Sequence, residues 1–381
     1  MNIIIGADLV PTKSNENDFI NADIKNLVDE GISEILKSAD YSIFNLELPL
    51  TDTVSPIPKN GPNLIAKSDC INGYKALGVD FVTLANNHIL DQGEQGLFST
   101  IQLLNYANIA YAGAGKNPID AAKPHIFEFN NKKLGVYCCA EHEFSIVTDK
   151  SAGANPFDPL ESLDHISALK KDCDYVIVLY HGGKEHYRYP SPNLQKICRK
   201  IAEKGADLIV CQHSHCIGCE EKYNGSTIVY GQGNFLFDLS ESEFWQTSLL
   251  ISLDEDLNIS YIPIKKQGAC VCLAKGKEKD EILSAFLARN QEIKQEGFIE
   301  ENYSEFAKNM ITNYLLTFSG IRKSYILKAI NKLSDYRLFD YYIKKRFSKN
   351  NILAIKNYIE CEAHKEALIE SINKYNKKGA K

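Results

Sequence analysis

Short apolar runs recur through the first two-thirds of the chain, and each stops at polar or glycine-containing sequence. NIIIGAD (2–8), YSIFNLE (41–47), FVTLANN (81–87), YVIVLYHGG (175–183) and ADLIVCQHSH (206–215) share this form. Each run of four to seven β-prone residues has the length of a buried strand. Between the runs lie stretches at helical spacing, roughly 22–37, 69–77, 93–107, 162–171 and 192–204. Strands alternating with helices predict an α/β architecture with a largely parallel sheet covered on its faces. Asn130-Asn131, between HIFEF and LGVYCCA, and Asn224-Gly225, between EEKY and STIVYG, are hairpin signals. QTSLLISL and NISYIPIK flank DEDL as a further strand pair, so the sheets are expected to be mixed.

After about residue 275 the pattern changes. KGKEKDE (275–281) reads as a charged linker. Beyond it there is no proline, and helical spacing runs through EILSAFLARN, SEFAKNMITNYLLTF, YILKAINKLSDY and NILAIKNYIECEAHKEALIESI. The expected organisation is an α/β domain over 1–268 and a C-terminal helical appendage over 276–381. The tail NKKGAK is expected to fray.

Composition narrows the class. The 381 residues are 44% hydrophobic and 24% charged, ordinary for a chain with a real core. The net charge of −6 gives no reason to expect nucleic-acid binding. Eleven cysteines, an odd number with several inside apolar runs, fit a reducing compartment better than a disulfide scaffold. No apolar run approaches the roughly 18 residues of a membrane span, and the N-terminal run is too short for a signal peptide. The expectation is a soluble, cytoplasmic protein of unassigned oligomeric state.

The polar residues that close the strands form an unusual set. They are Asp8; Asn45 and Glu47; Asn86, Asn87 and His88, with Asp91 beyond; His181, followed by Glu185 and His186; and His213 and His215. In open α/β sheets ligands bind at the carboxyl ends of parallel strands. Carboxylate, amide and imidazole groups together suit Mn, Fe or Zn, and there are donors enough for two ions. Each residue alone has a plainer account. Asp8 fits a helix N-cap, Asn45 and Glu47 a solvated edge, Asn86-Asn87-His88 a turn, and His181 a core histidine bonded to backbone. His213-Ser214-His215, two histidines at i and i+2, is harder to explain without a shared partner. Glu141, His142, His125, His165 and His364 read as surface or ordinary polar groups. The cysteines around His213 lack zinc-finger spacing in a small unit, and no thioredoxin-like helix follows Cys216-x-x-Cys219.

GADLVP (6–11), FNLELPLT (44–51), GVDFVTLANNHILDQGEQGLFST (78–100), AYAGAGKNPIDAAKP (110–124), VIVLYHGGKEHYRYPSP (176–192), GADLIVCQHSHCIGCEEKYNG (205–225) and VYGQGNFLFD (229–238) carry a resemblance. In them the chain resembles the CapA family of bacterial capsule-synthesis, poly-γ-glutamate-type proteins, within the calcineurin-like metallophosphoesterases. It covers roughly residues 1–265. The resemblance implies a four-layer α/β/β/α sandwich. It implies that Asp8, Glu47 and His215 hold one ion, and that Glu47, Asn87, His181 and His213 hold the other. His88 is then the catalytic histidine and Asp91 the acid that orients it. Asn45, Asn86, Lys59, Lys67, Glu185, His186 and Asn234 are the candidate substrate contacts. Two positions depart from the superfamily pattern: Val10 stands where a histidine ligand belongs, and Ile89 where an acid follows the histidine.

Three functions follow as expectations. The first is metal-assisted hydrolysis of a phosphoester or phosphodiester, linked to synthesis of a cell-surface polymer. The second is hydrolysis or transfer on an amide-linked anionic polymer. The third is a non-catalytic, metal- or anion-binding component of a synthesis complex, with the helical tail as its docking surface.

Overall fold

The computed structural model describes residues 2–320, 332 and 337–378. The chain divides into two compact units, Met1–Tyr303 and Ser304–Lys381. Among the described residues the first unit holds sixteen strands. They are β1 (Asn2–Val10), β2 (Tyr41–Asn45), β3 (Phe81–Thr83), β4 (Ala110–Ala112), β5 (Ala114–Gly115), β6 (His125–Phe129), β7 (Lys132–Ala140) and β8 (Gly153–Ala154). The rest are β9 (Tyr175–His181), β10 (Leu208–Gln212), β11 (Glu220–Tyr223), β12 (Ser226–Val229), β13 (Asn234–Phe237), β14 (Thr247–Asp254), β15 (Ile259–Gln267) and β16 (Cys270–Leu273).

One sheet runs β16-β15-β14-β1-β2-β3-β4, and the second runs β11-β12-β10-β9-β7-β6. In the first, β1 to β4 run parallel and β14, β15 and β16 continue the sheet antiparallel; in the second, β7, β9, β10 and β12 are parallel and the edges β6 and β11 antiparallel. β1 has two partners on one side: Asn2–Ile5 pair with β14, and Asp8–Val10 pair in parallel with β13.

Side-chain alternation builds four layers. Ile3 and Ile5 of β1, Ile177 and Leu179 of β9, and Leu208 and Val210 of β10 fill the space between the sheets. Ile4 faces the opposite side, where it joins the cluster under the helices Glu30–Ser38, Ile71–Ala76 and Gly93–Ala107. Val176, Val178, Ile209 and Cys211 face the helices Ser162–Asp172 and Pro192–Glu203. Both faces of each strand are therefore apolar, which is why the runs read as continuous rather than alternating. The result is the expected α/β/β/α sandwich with mixed sheets.

The hairpin signals hold locally. Asn130 and Asn131 both take positive φ, 48° and 59°, as do Asn224 and Gly225, the geometry a two-residue hairpin turn requires. Three expectations need correction. The stretch 22–37 is two helices, Ile24–Leu27 and Glu30–Ser38, because Asp29 starts the second by accepting from Ile32 N at 2.9 Å. KGKEKDE is no linker. Its residues open the helix Gly276–Glu292, which packs Phe286 on Ile217 and Leu249 and joins Arg289 Nε to Gly218 O. The run 351–372 is broken at Cys361, between the helices Lys349–Glu360 and Glu362–Lys378.

In the second unit the end of Phe298–Phe318 shares a small core with Arg337–Arg346, built on Leu315, Leu316 and Ile343. Apart from Lys332, the run YILKAINKLSDY lies outside the described residues, as do residues 379–381 of the tail. No described helix is long and apolar enough to cross a membrane.

Candidate metal centre

The carboxyl ends of the parallel strands from both sheets meet in one buried cluster. Register sets its first corner: Asp8 on β1 lies opposite Asn45 on β2 and Asn234 on β13. Asn45 Nδ2 donates to Asp8 Oδ1 at 2.7 Å and lies 3.3 Å from His181 Nδ1. Asn86 Nδ2 donates to Asn45 Oδ1 at 3.1 Å and to Leu46 O at 2.9 Å, so Asn86 and Asn45 brace the cluster from beneath. Glu47 lies just past β2, fully buried, with Oε1 3.4 Å from His181 Nε2. Asn87 Oδ1 is 3.1 Å from the same nitrogen. His215 Nδ1 lies 3.3 Å from Asp8 Oδ2 and 2.9 Å from Asn234 Oδ1.

The loops that deliver these groups are conformationally demanding. His213 and His215 both hold left-handed backbone, at φ 86° and 53°, as does His186 at 58°. Such non-glycine positions cost of order 1–3 kcal/mol each and cluster at functional sites. Gly233, at φ 84°, turns the chain so that Asn234 can join the sheet; a Cβ there would stand 2.8 Å from Ser248 Cβ.

Within the cluster, Asp8, Glu47 and His215 form one group of ligand atoms lying within 4.8 Å of one another. Glu47, His181 and His213 form a second, and Glu185, His213 and His215 a third. Asp8 Oδ2, both oxygens of Glu47 and His213 Nδ1 are buried without a hydrogen-bond partner. A buried carboxylate left in that state costs several kcal/mol. The charges also make opposed demands. Burial raises the Asp8 carboxyl, and the neighbouring Glu47 charge raises it further. Burial also disfavours ionised Glu47, but His181, His215 and His88 outweigh it and hold that carboxyl below its ordinary range. Burial disfavours protonated His215, yet Asp8 and Glu47 push it up to about 9. Burial, with His181 and His215 nearby, drives His213 well down. A divalent cation satisfies the orphaned oxygens and replaces the protons, so the residues present fit one. Val10 faces the apolar cluster beneath the helices, 1% exposed, and contributes no donor.

His88 flanks the centre. Its Nδ1 lies 2.6 Å from Asp91 Oδ2, and Asp91 is fully buried and also accepts from Leu64 N at 2.6 Å. The turn from His88 to Asp91, closed by Asp91 N donating to His88 O at 2.9 Å, thus supplies the acid that Ile89 does not. Lys59 donates to Asp91 Oδ1, stands 3.1 Å from His88 Nδ1 and is almost wholly buried. Lys67 is turned outward and pairs with Glu16 at 3.5 Å, apart from this corner. His186 lies at the rim, stacked on Phe244 and accepting from Trp245 Nε1 at 2.8 Å.

Two neighbours escaped the sequence reading. Glu141, read there as a surface acid, has Oε1 3.5 Å from His213 Nε2 and Oε2 accepting from Gly183 N. Burial raises its carboxyl. Trp245 packs its ring 4.6 Å from that of His215. By contrast His125 meets Tyr41 OH at 2.7 Å within an aromatic stack, an ordinary structural contact.

A family model described as bacterial capsule synthesis protein PGA_cap matches residues 4–239. The chain is 31% identical over 216 residues to the capsule biosynthesis protein CapA of Bacillus anthracis, covering 54% of this chain and 53% of that protein. It is 30% identical over 215 residues to the PGA biosynthesis protein CapA of Bacillus subtilis (strain 168), covering 54% and 56%. It spans about half the length of the curated relatives it matches. Among solved structures, a phosphatase from Mycoplasma pneumoniae is similar at a TM-score of 0.43 and 16% identity, over 70% of this chain and 93% of that one. A likeness so distant carries no argument about chemistry.

Proposed function

Because the chain belongs to the bacterial capsule synthesis protein PGA_cap family, we propose that it is a divalent-metal-dependent hydrolase of a phosphoester or phosphodiester, acting in the synthesis of a cell-surface polymer. The observation that carries this reading is the set of orphaned buried oxygens on Asp8 and Glu47, facing three histidines beside a His88–Asp91 pair. Asp8, Glu47 and His215 would hold one ion, and Glu47, Asn87, His181 and His213 a second, with Glu47 shared. When bound, such ions supply Lewis-acid stabilisation and lower the pKa of water. Mn, Fe and Zn all suit the donor set.

The chain's own groups do the rest. Asp91 engages His88 Nδ1, which leaves Nε2 to pass a proton to a leaving oxygen. Lys59, buried and paired with Asp91, holds that acid and the His88 ring in place. Asn45 and Asn86 hold Asp8 and the strand ends in place. Glu141, with Oε1 3.5 Å from His213 Nε2, would steady that ring. Glu185 and His186 line the rim toward substrate, and Asn234, 2.9 Å from His215 Nδ1, holds that ring.

The relatives named for PGA biosynthesis favour a second reading, attack at an amide carbonyl of an anionic polymer. One experiment separates the readings. The purified chain is assayed for metal content, then for Mn²⁺-dependent turnover of bis(p-nitrophenyl) phosphate and of γ-glutamyl peptides. Ester turnover that falls in His88→Ala with metal retained supports the proposal. Turnover of amides alone moves the activity to the second reading. Bound metal with no turnover of either leaves a binding role and overturns both.

A further inference from the structure

The charge of the chain is divided unevenly. Residues 1–303 carry 27 Lys and Arg against 42 Asp and Glu, while residues 304–381 carry 16 against 7. A net charge of −6 therefore conceals −15 on the first unit and +9 on the second. The second unit is also where apolar surface stays open. Of the twenty large apolar side chains exposed among the described residues, eleven lie in it.

The two excesses share helix faces. On Arg337–Arg346, the exposed residues Arg337, Tyr341, Lys344 and Lys345 fall at i, i+4, i+7 and i+8, one side of a helix. Lys345 Nζ stands 5.9 Å from the Tyr341 ring centroid. On Glu362–Lys378, Lys365 shares a side with Leu368, Ile369 and Ile372, and those three are 45–51% exposed. Of the acids, Glu362 lies on that side, seven residues before Ile369, while Glu366 and Glu370 turn progressively away from it. A soluble acidic polymer asks only for the charge. Basic side chains flush with half-exposed aliphatic and aromatic ones match a surface with dense negative charge and hydrocarbon directly beneath it.

We propose that the helices Arg337–Arg346 and Glu362–Lys378 dock on the surface of an anionic phospholipid bilayer. The contact is peripheral: lysines and arginines meet headgroups, and Tyr341, Leu368, Ile369 and Ile372 enter the acyl boundary. The first unit, at −15, adds no attraction of its own.

The test uses the full chain and sedimentation with vesicles of phosphatidylcholine alone or mixed with phosphatidylglycerol. Binding is expected only on the mixed vesicles and is expected to fall as salt rises. Each basic residue near such a surface is worth about fivefold in partition, so the double variant Lys344→Glu, Lys345→Glu should lose at least about 25-fold. Leu368→Ser with Ile372→Ser should also weaken binding, with far-UV circular dichroism matching the parent to establish folding. No sedimentation with mixed vesicles overturns the proposal, as does equal binding to both vesicle types or parental binding by both folded variants. Capture of soluble polyglutamate without vesicle binding would assign the surface to an acidic polymer instead. Salt-sensitive self-association without vesicle binding would assign it to a second copy of the chain.

Discussion

The demands on single residues are sharpest at Glu47, whose two oxygens are buried with no hydrogen-bond partner. Glu47→Gln keeps the shape and removes the charge. It is expected to lose at least one equivalent of bound Mn²⁺, read by elemental analysis after gel filtration. His88→Ala is expected to keep its metal and lose about 10²–10⁴ in kcat on an aryl phosphodiester. The cysteines lead to a different expectation. Eight are buried, and burial pushes the Cys70 and Cys138 thiols up to about 12 and Cys139 and Cys198 well above their ordinary value. Since a raised pKa leaves little thiolate, a disulfide reagent at pH 8 should titrate at most Cys270, Cys272 and Cys361 within minutes, and all eleven in guanidinium. The strand-end residues were legible because each apolar run stops where a donor begins. Glu141 was not, because its place beside His213 comes from the β7–β9 register, Ala140 opposite His181, which no spacing within one run records.

Among the elements, helix starts and tight turns decide local stability. Asp29 caps Glu30–Ser38 through Ile32 N and also accepts from Leu273 N at 3.1 Å, tying the first helices to the edge strand β16. Asp29→Ala is expected to cost about 1–2 kcal/mol in urea unfolding, the upper end reflecting the second bond. The break at Val28–Asp29 was hidden because the apolar spacing runs on through it; the cap carries the signal. KGKEKDE misled for the opposite reason. Its charges open a helix whose inward side begins only after them, at Ile282, Leu283 and Phe286. Turn chemistry was plainer, since Asn130-Asn131 and Asn224-Gly225 tolerate the positive φ that few other pairs do.

At the scale of the whole molecule, the single tryptophan offers an optical reading of the centre. Trp245 packs on His215 and donates to His186. Titration with Mn²⁺ is therefore expected to change its emission, and EDTA to reverse the change, in wild type but not in Glu47→Gln. Binding that favours the folded state also raises its stability, by about 2.7 kcal/mol at a hundredfold excess over Kd, seen as a higher melting temperature.

The two-partner pairing of β1 has a consequence in time. Asp8 is made more than two hundred residues before Asn234 beside it and the strand β14 along the same edge. At about 5–20 residues per second, Asp8 waits roughly 10–50 s for those neighbours. During that interval the β14 side of β1, at Ile3, Ile4 and Ile5, has no partner strand, and until residue 213 is made the centre has neither His213 nor His215. A nascent chain stalled before residue 213 is thus a species that ribosome-associated chaperones should hold and that metal should fail to rescue.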